Sequence, residues 1–360
     1  MENNPFPDLE LLGFDPWFLE QTEDPVHDPF EIARVTAVHK DAYTISNGRA
    51  SVNAEITGKL MFTAESPQDY PVVGDWVVAQ FLDENTFGII HDILSRKTTL
   101  MRKTPGKKID HQLIAANIDT AMVVQALDDD FNLRRLERYL VMINDGNIRP
   151  LVLLSKRDLV PAAEIEQKVQ FISNTYPDLT VATLSNLEES GLDEINGLLE
   201  SGKTYCLLGS SGVGKTTLLN NFLGKAEYET AAVREKDSKG RHTTTQRQLV
   251  RLENGAMIVD TPGMRELGFV GMETGIQETF PEIEALADQC RYRDCSHTQE
   301  EGCAVIGGVK DGIIQEERYQ NYLKVQKESS FNEMSYLEKR QKDKQFGKMI
   351  KTVLKHSKNK

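Results

Sequence analysis

Apolar residues fall into three different rhythms along the chain. From 33 to about 97 they come in short strand-like pieces around Val35, Tyr43-Thr44-Ile45, 52–56, 74–78 and Gly88-Ile89-Ile90, separated by an Asn47-Gly48 turn and a loop bearing Pro67 and Pro71. Many short strands in so few residues predict a small all-β barrel. Further on, the apolar pieces are continuous runs at 150–154, 181–183, 204–208 and 256–260, with a helix predicted over 216–223, the alternation of an α/β domain. Past 318 the period is helical, over 318–326 and again over 346–354.

Composition sharpens this division. Of 360 residues, 39% are hydrophobic, enough for several cores. A net charge of -13 argues against a protein that coats RNA uniformly, so any nucleic-acid contact must be local. Residues 1–32 hold acidic side chains but no lysine or arginine, which predicts an acidic, partly mobile extension whose aromatic patch, Phe14, Trp17 and Phe18, is available for docking. Basic residues collect at Arg96, Lys97, Arg102, Lys103, Lys107 and Lys108, and in the last twenty residues seven lysines face one aspartate. Both stretches suit RNA phosphate or simple solvation. With no signal peptide or membrane-length apolar run, a cytoplasmic monomer that stays off membranes is expected.

The run Gly209-Ser210-Ser211-Gly212-Val213-Gly214-Lys215-Thr216, followed by Thr217, has phosphate-loop spacing between a predicted strand and a predicted helix. Its glycines let the backbone curl so that amides and the helix N-terminus face phosphate oxygens. Lys215 would neutralise the terminal phosphates and Thr216 would ligate magnesium. Asp260 ends an apolar run and could hold the same metal through water, and Gly263 could sense the last phosphate. The polar stretch 235–245 between them reads as a switch segment, with Thr243 or Thr244 the metal ligand.

Ser155-Lys156-Arg157-Asp158 lies just beyond the 150–154 run, where open α/β sheets bind ligands. The Asp158 carboxylate can accept from both the ring N–H and the exocyclic amine of guanine, a donor pair that adenine lacks. Ser185, after the 181–183 run, could complete the base pocket through its backbone. This base-reading element precedes the phosphate loop. Separately, Cys290, Cys295, His297 and Cys303 place three thiols and an imidazole within fourteen residues. Such a set predicts one closed structural zinc ion, with a cluster of free cysteines as the alternative. Cys206 lies inside an apolar run and reads as a small buried side chain.

Together these motifs resemble the circularly permuted, small-ribosomal-subunit-dependent GTPases of the RsgA/YjeQ family. The resemblance implies an N-terminal OB-fold barrel over 33–100, a linker at 101–111, a permuted P-loop GTPase domain over 112–273 and a mostly α zinc-binding domain over 274–360. It supports all four zinc ligands and implies binding of GTP with Mg2+. It also implies a catalytic role for the switch-loop His242 beside Lys215, because Met264 stands where many GTPases carry a water-orienting glutamine. The implied partners are the small ribosomal subunit, its rRNA and other assembly factors, with hydrolysis that is slow until the subunit stimulates it. Two residues depart from the pattern: Ser155 replaces the usual asparagine, and Asn186 the usual alanine. A metabolic nucleotide enzyme and a nucleotide-gated scaffold that barely hydrolyses GTP are the other readings.

Overall fold

The computed structural model describes residues 7–22, 30–39, 42–82, 84–103, 111–188, 190–224, 247–260 and 272–333. They divide into two compact units, 1–101 with 113–267, and 102–112 with 268–360.

In the first unit, β1 (Phe30–Val38), β2 (Tyr43–Ser46), β3 (Ser51–Ile56), β4 (Trp76–Leu82) and β5 (Phe87–Ile93) form a closed barrel. β1 pairs with both β2 and β4, and β5 joins β3 to β4, so no barrel edge is left open among these strands. Period-two burial fills the interior with Ala33, Val35, Ile45, Val52, Ala54, Val77, Ala79 and Ile90. The barrel is OB-like in its strand order.

The sequence predicts a partly mobile acidic extension, but residues 7–22 are folded. Two short helices, α1 (Pro7–Glu10) and α2 (Pro16–Leu19), place Leu9, Phe14 and Phe18 in a cluster with Ile32 and Trp76. Phe14 meets the Trp76 ring edge-on at 4.9 Å. Each such buried aromatic contributes about 2 kcal/mol, enough to hold a short acidic segment whose surface charges remain in water.

After β6 (Thr99–Lys103) and β7 (His111–Ala116), the chain builds the α/β layer. Here β8 (Thr120–Ala126), β9 (Arg149–Ser155), β10 (Thr180–Thr183), β11 (Thr204–Leu208) and β13 (Met257–Asp260) are parallel in the order β10-β9-β8-β11-β13, and β12 (Arg247–Arg251) runs antiparallel at the end. Strands buried on both faces explain the continuous apolar runs, because helices cover a parallel sheet on each side. The helices are α3 (Gly58–Thr63) on the barrel, then α4 (Leu133–Asp145), α5 (Ala162–Thr175), α6 (Leu192–Gly197) and α7 (Lys215–Leu223). Asn132 caps α4, and Leu136, Tyr139, Leu140 and Ile143 recur at helical spacing on its buried face.

Barrel and α/β layer are continuous through antiparallel pairing of β1 with β12, and the buried Arg34 fastens them. Its guanidinium donates to the carbonyls of Leu12, Gly74 and Asn117 and to the Thr204 hydroxyl. Burial pulls its pKa down to about 10, still far above neutrality, so the charge persists and is spread over fixed dipoles.

Beyond the ends of β6 and β7 that it includes, the second unit has the helices Glu273–Thr279, Pro281–Ala287, Ala304–Lys310 and Glu316–Glu333. The last contains the predicted helical stretch at 318–326, while 346–354 lies outside the described residues. Phe280, Ile283, Val305, Ile314, Tyr322 and Val325 form the core, and Arg318 lies over the Phe280 ring while pairing with Glu282.

Candidate nucleotide site and metal centre

Parallel order brings the ends of β9, β10 and β11 to one edge of the sheet, so loops far apart in sequence meet. Ser155, the last residue of β9, is wholly buried and its hydroxyl donates to the Val213 carbonyl in the phosphate loop at 2.7 Å. A hydroxyl has one proton, and here it is spent on tying the two loops. From the third loop, the Asn186 amide donates to the Gly214 carbonyl at 3.2 Å and its oxygen accepts from Asn221 at 3.3 Å. Both departures from the pattern therefore link the 155–158 and 184–186 loops to the 209–216 loop. Ser185 is buried, its hydroxyl accepting from the amides of Leu187 and Glu188, and the Arg157 amide donates to the Leu184 carbonyl.

Gly209 has a φ of 142°, and a Cβ there would come 2.2 Å from the Val124 carbonyl oxygen. At Gly214, with a φ of 98°, a Cβ would lie 2.6 Å from the Asn186 amide nitrogen. A side chain at Gly209 would collide with the backbone of β8, and one at Gly214 would displace the Asn186 amide, with both positions also in backbone conformations that favour glycine. Ser211 and Gly212 are exposed at the loop's crest, and Val213 is buried beneath it. Lys215 folds back on the loop, donating to the carbonyls of Gly209 at 2.7 Å and Ser210 at 2.6 Å. Thr216 and Thr217 stand in the first turn of α7, whose initial amides have no carbonyl one turn back to bond.

Lys156 adopts a left-handed conformation, and its ammonium pairs with Asp128 at 2.8 Å. That hydrogen bond is the main reason the Asp128 carboxyl is held below the usual aspartate range. Asp158 follows in a short 3-10 turn, half-buried. Asp260 ends β13, next to the phosphate-loop strand, though its side chain is not among those described. His242, Thr243, Thr244, Gly263 and Met264 lie outside the described residues. Sequence reasoning missed Asp128, Asp130, Arg135 and Asn221; the Asp128-Asp129-Asp130 run was a visible signal, but its neighbours are set by tertiary packing.

In the second unit, the ligand atoms of Cys290, Cys295, His297 and Cys303 all lie within 4.8 Å of one another. A tetrahedral site with metal–sulfur bonds of about 2.3 Å and metal–nitrogen bonds of about 2.0 Å has edges near 3.8 Å between sulfurs and near 3.5 Å between sulfur and nitrogen. Cys290 and Cys303 sulfurs are 3.8 Å apart, and the His297 Nδ1 lies 3.6 Å from one and 3.5 Å from the other. The residues fit a closed four-ligand metal centre. Burial lowers the His297 pKa, which keeps the imidazole neutral with a lone pair to offer. The Ile306 amide donates to the Cys303 sulfur at the start of Ala304–Lys310, and the Tyr319 hydroxyl donates to the His297 carbonyl at 2.5 Å.

A relative named small ribosomal subunit biogenesis GTPase RsgA 2, from Vibrio vulnificus, is 39% identical over 345 residues, 96% of this chain and 95% of that protein. The chain belongs to the RsgA GTPase family. The family's model, described as RsgA GTPase, matches residues 93–270. A second relative, from Opitutus terrae and named small ribosomal subunit biogenesis GTPase RsgA, is 40% identical over 333 residues, 90% of each chain. Among solved structures, YjeQ from Thermotoga maritima aligns with a TM-score of 0.60 at 25% identity, covering 82% of this chain and 96% of that one. YloQ, described as a circularly permuted GTPase, shares the fold with a TM-score of 0.61 at 24% identity over 86% of this chain and 98% of its own. An ABC transporter model also matches residues 192–353, a span containing the phosphate loop, which is common to P-loop NTPases at large.

Proposed function

We propose that the chain is a GTPase that binds the small ribosomal subunit and assists its late maturation, with slow intrinsic hydrolysis accelerated by the subunit. The observation carrying this reading is the Ser155–Val213 hydrogen bond, which joins a guanine-type base reader to a phosphate loop in permuted chain order. The names of the relatives support the small ribosomal subunit as the partner; its rRNA and other assembly factors are the further partners of this reading.

Asp158 accepts from the guanine edge, and the stem of Lys156 lies over the base. Amides of the 209–216 loop and the first turn of α7 hold the phosphates, with Lys215 exchanging its bonds to Gly209 and Ser210 for phosphate oxygens. The Thr216 hydroxyl, Asp260 and Thr243 or Thr244 are the residues that would hold a Mg2+ ion bound with GTP, which would neutralise phosphate charge. Gly263 senses the last phosphate, and His242 orients water. The Cys3His centre takes one structural Zn2+, since thiolate and imidazole suit that ion and no ligand position is left open. No helix among the described residues is long and apolar enough to cross a membrane.

GTP turnover measured with and without purified small ribosomal subunits tests the proposal. Strong stimulation by the subunits is expected. Tight GTP binding with no turnover in either condition would replace it with the nucleotide-gated scaffold.

A further inference from the structure

Ser210, the second residue of the phosphate loop, is gripped from two directions. Its carbonyl accepts from Lys215 at 2.6 Å. Its hydroxyl accepts from the Arg135 guanidinium at 2.5 Å, and Tyr139, one turn further along α4, shares that hydroxyl. Arg135 is itself held in place. The Asn132 cap accepts from its backbone amide at 3.0 Å, and Asp130 pairs with its guanidinium at 2.7 Å. Asp130 in turn donates its amide to Asp128 at 3.1 Å, and Asp128 holds Lys156 at 2.8 Å. A continuous run of hydrogen bonds thus leads from the base-reading loop to the phosphate loop without passing through any nucleotide.

We infer that Arg135 is a positioning residue of the phosphate loop, braced by Asp130 and tied through Asp128 to the base-reading Lys156. A loop with glycines at 209, 212 and 214 has many backbone states to lose when it closes on phosphate. Fixing the Ser210 side chain beforehand narrows that ensemble, so less entropy is lost on binding. A single guanidinium nitrogen, Nη1, makes both contacts, one proton going to the Asp130 carboxylate and the other to the Ser210 hydroxyl, so the pairing that fixes Arg135 also aims it at the loop. The inference rests on the nucleotide reading above.

A residue that shapes the loop helps ground state and transition state alike, so its loss falls on KM. A cation touching the reacting phosphate would fall on kcat. In the full chain, assayed for subunit-stimulated GTP hydrolysis, Arg135→Gln and Ser210→Ala are each expected to raise KM about tenfold, the worth of one charge-assisted hydrogen bond, with kcat within about twofold. The double variant is expected to match the worse single one, because both remove the same contact. If Arg135→Gln does not fold, Ser210→Ala combined with Asp130→Asn closes an equivalent cycle. Additive losses, an unchanged KM, or a fall confined to kcat would each overturn the inference. A wild-type chain that neither binds nor hydrolyses GTP would defeat the underlying nucleotide reading, an outcome seen before any variant is made.

Discussion

The candidate metal centre and the candidate nucleotide site reach their geometry by opposite routes. The four metal ligands lie within fourteen residues, and short turns are enough to bring three sulfurs and a nitrogen to within 4.8 Å. The crevice joins loops at 155–158, 184–186 and 209–216, which meet only because β9, β10 and β11 end along the same edge of a parallel sheet. The first is local chemistry and the second is topology. That difference explains why chain permutation is tolerable: strands need only end along one edge of the sheet, so β9 and β10, which carry the 155–158 and 184–186 loops, can precede β11, which carries the 209–216 loop.

The comparison can be broken most severely at the metal. Chelation, or Cys303→Ser, is expected to remove stabilisation on the order of 10 kcal/mol from the second unit, read as loss of helical circular dichroism and release of one Zn2+ per chain. Helicity that survives chelation would mean that the unit's apolar core suffices alone. In the first unit, Arg34→Met should cost about 3 kcal/mol in urea unfolding, because it takes the donor from the carbonyls of Leu12 and Asn117, whereas the Gly74 carbonyl keeps the Asn117 side-chain amide. A change below about 0.5 kcal/mol would show that Arg34 does not fasten barrel to sheet.

Finer probes act on the crevice. Ser155→Ala strips the buried Val213 carbonyl of its donor and should weaken GDP binding by about tenfold, with a stability loss of about 1–2 kcal/mol. Unchanged affinity would mean that Asn186 alone ties the loops. The smallest effect is electrostatic. Lys156 holds the Asp128 carboxyl below its unfolded value, so the pair's stabilisation is present above the unfolded pKa of about 3.9 and is lost as pH falls through the lowered folded value. Asp128→Asn should therefore lower the melting temperature slightly at neutral pH, with the gap to wild type closing below about pH 4. A gap that does not vary with pH would contradict the pairing.

The contrast also explains what could be read from the amino acids. Cys290, Cys295, His297 and Cys303 announce themselves because ligand chemistry restricts the residue types and the spacing is short. The phosphate loop is equally plain, its glycines being demanded by contacts such as that of Gly209 with Val124. Arg34 was opaque, since a lone arginine on a barrel strand normally points to water, and only the assembled fold supplies the four acceptors that let it be buried. Acidic residues at 1–32 suggested mobility because net charge conceals how few aromatic contacts are needed to pin a short helix. The bond from Arg135 to Ser210 joins residues 75 apart in sequence, and no local pattern encodes it.

The central claim is that Asp158 and the 209–216 loop act on one guanine nucleotide. Competitive titration of GTP against XTP on wild type and Asp158→Asn tests it most directly, because xanthine carries a carbonyl where guanine carries the exocyclic amine. Wild type should prefer GTP by at least about a hundredfold and Asp158→Asn should prefer XTP, as expected when a buried polar partner is matched or mismatched. If Asp158→Asn keeps the wild-type preference, the carboxylate does not read the base and the account fails.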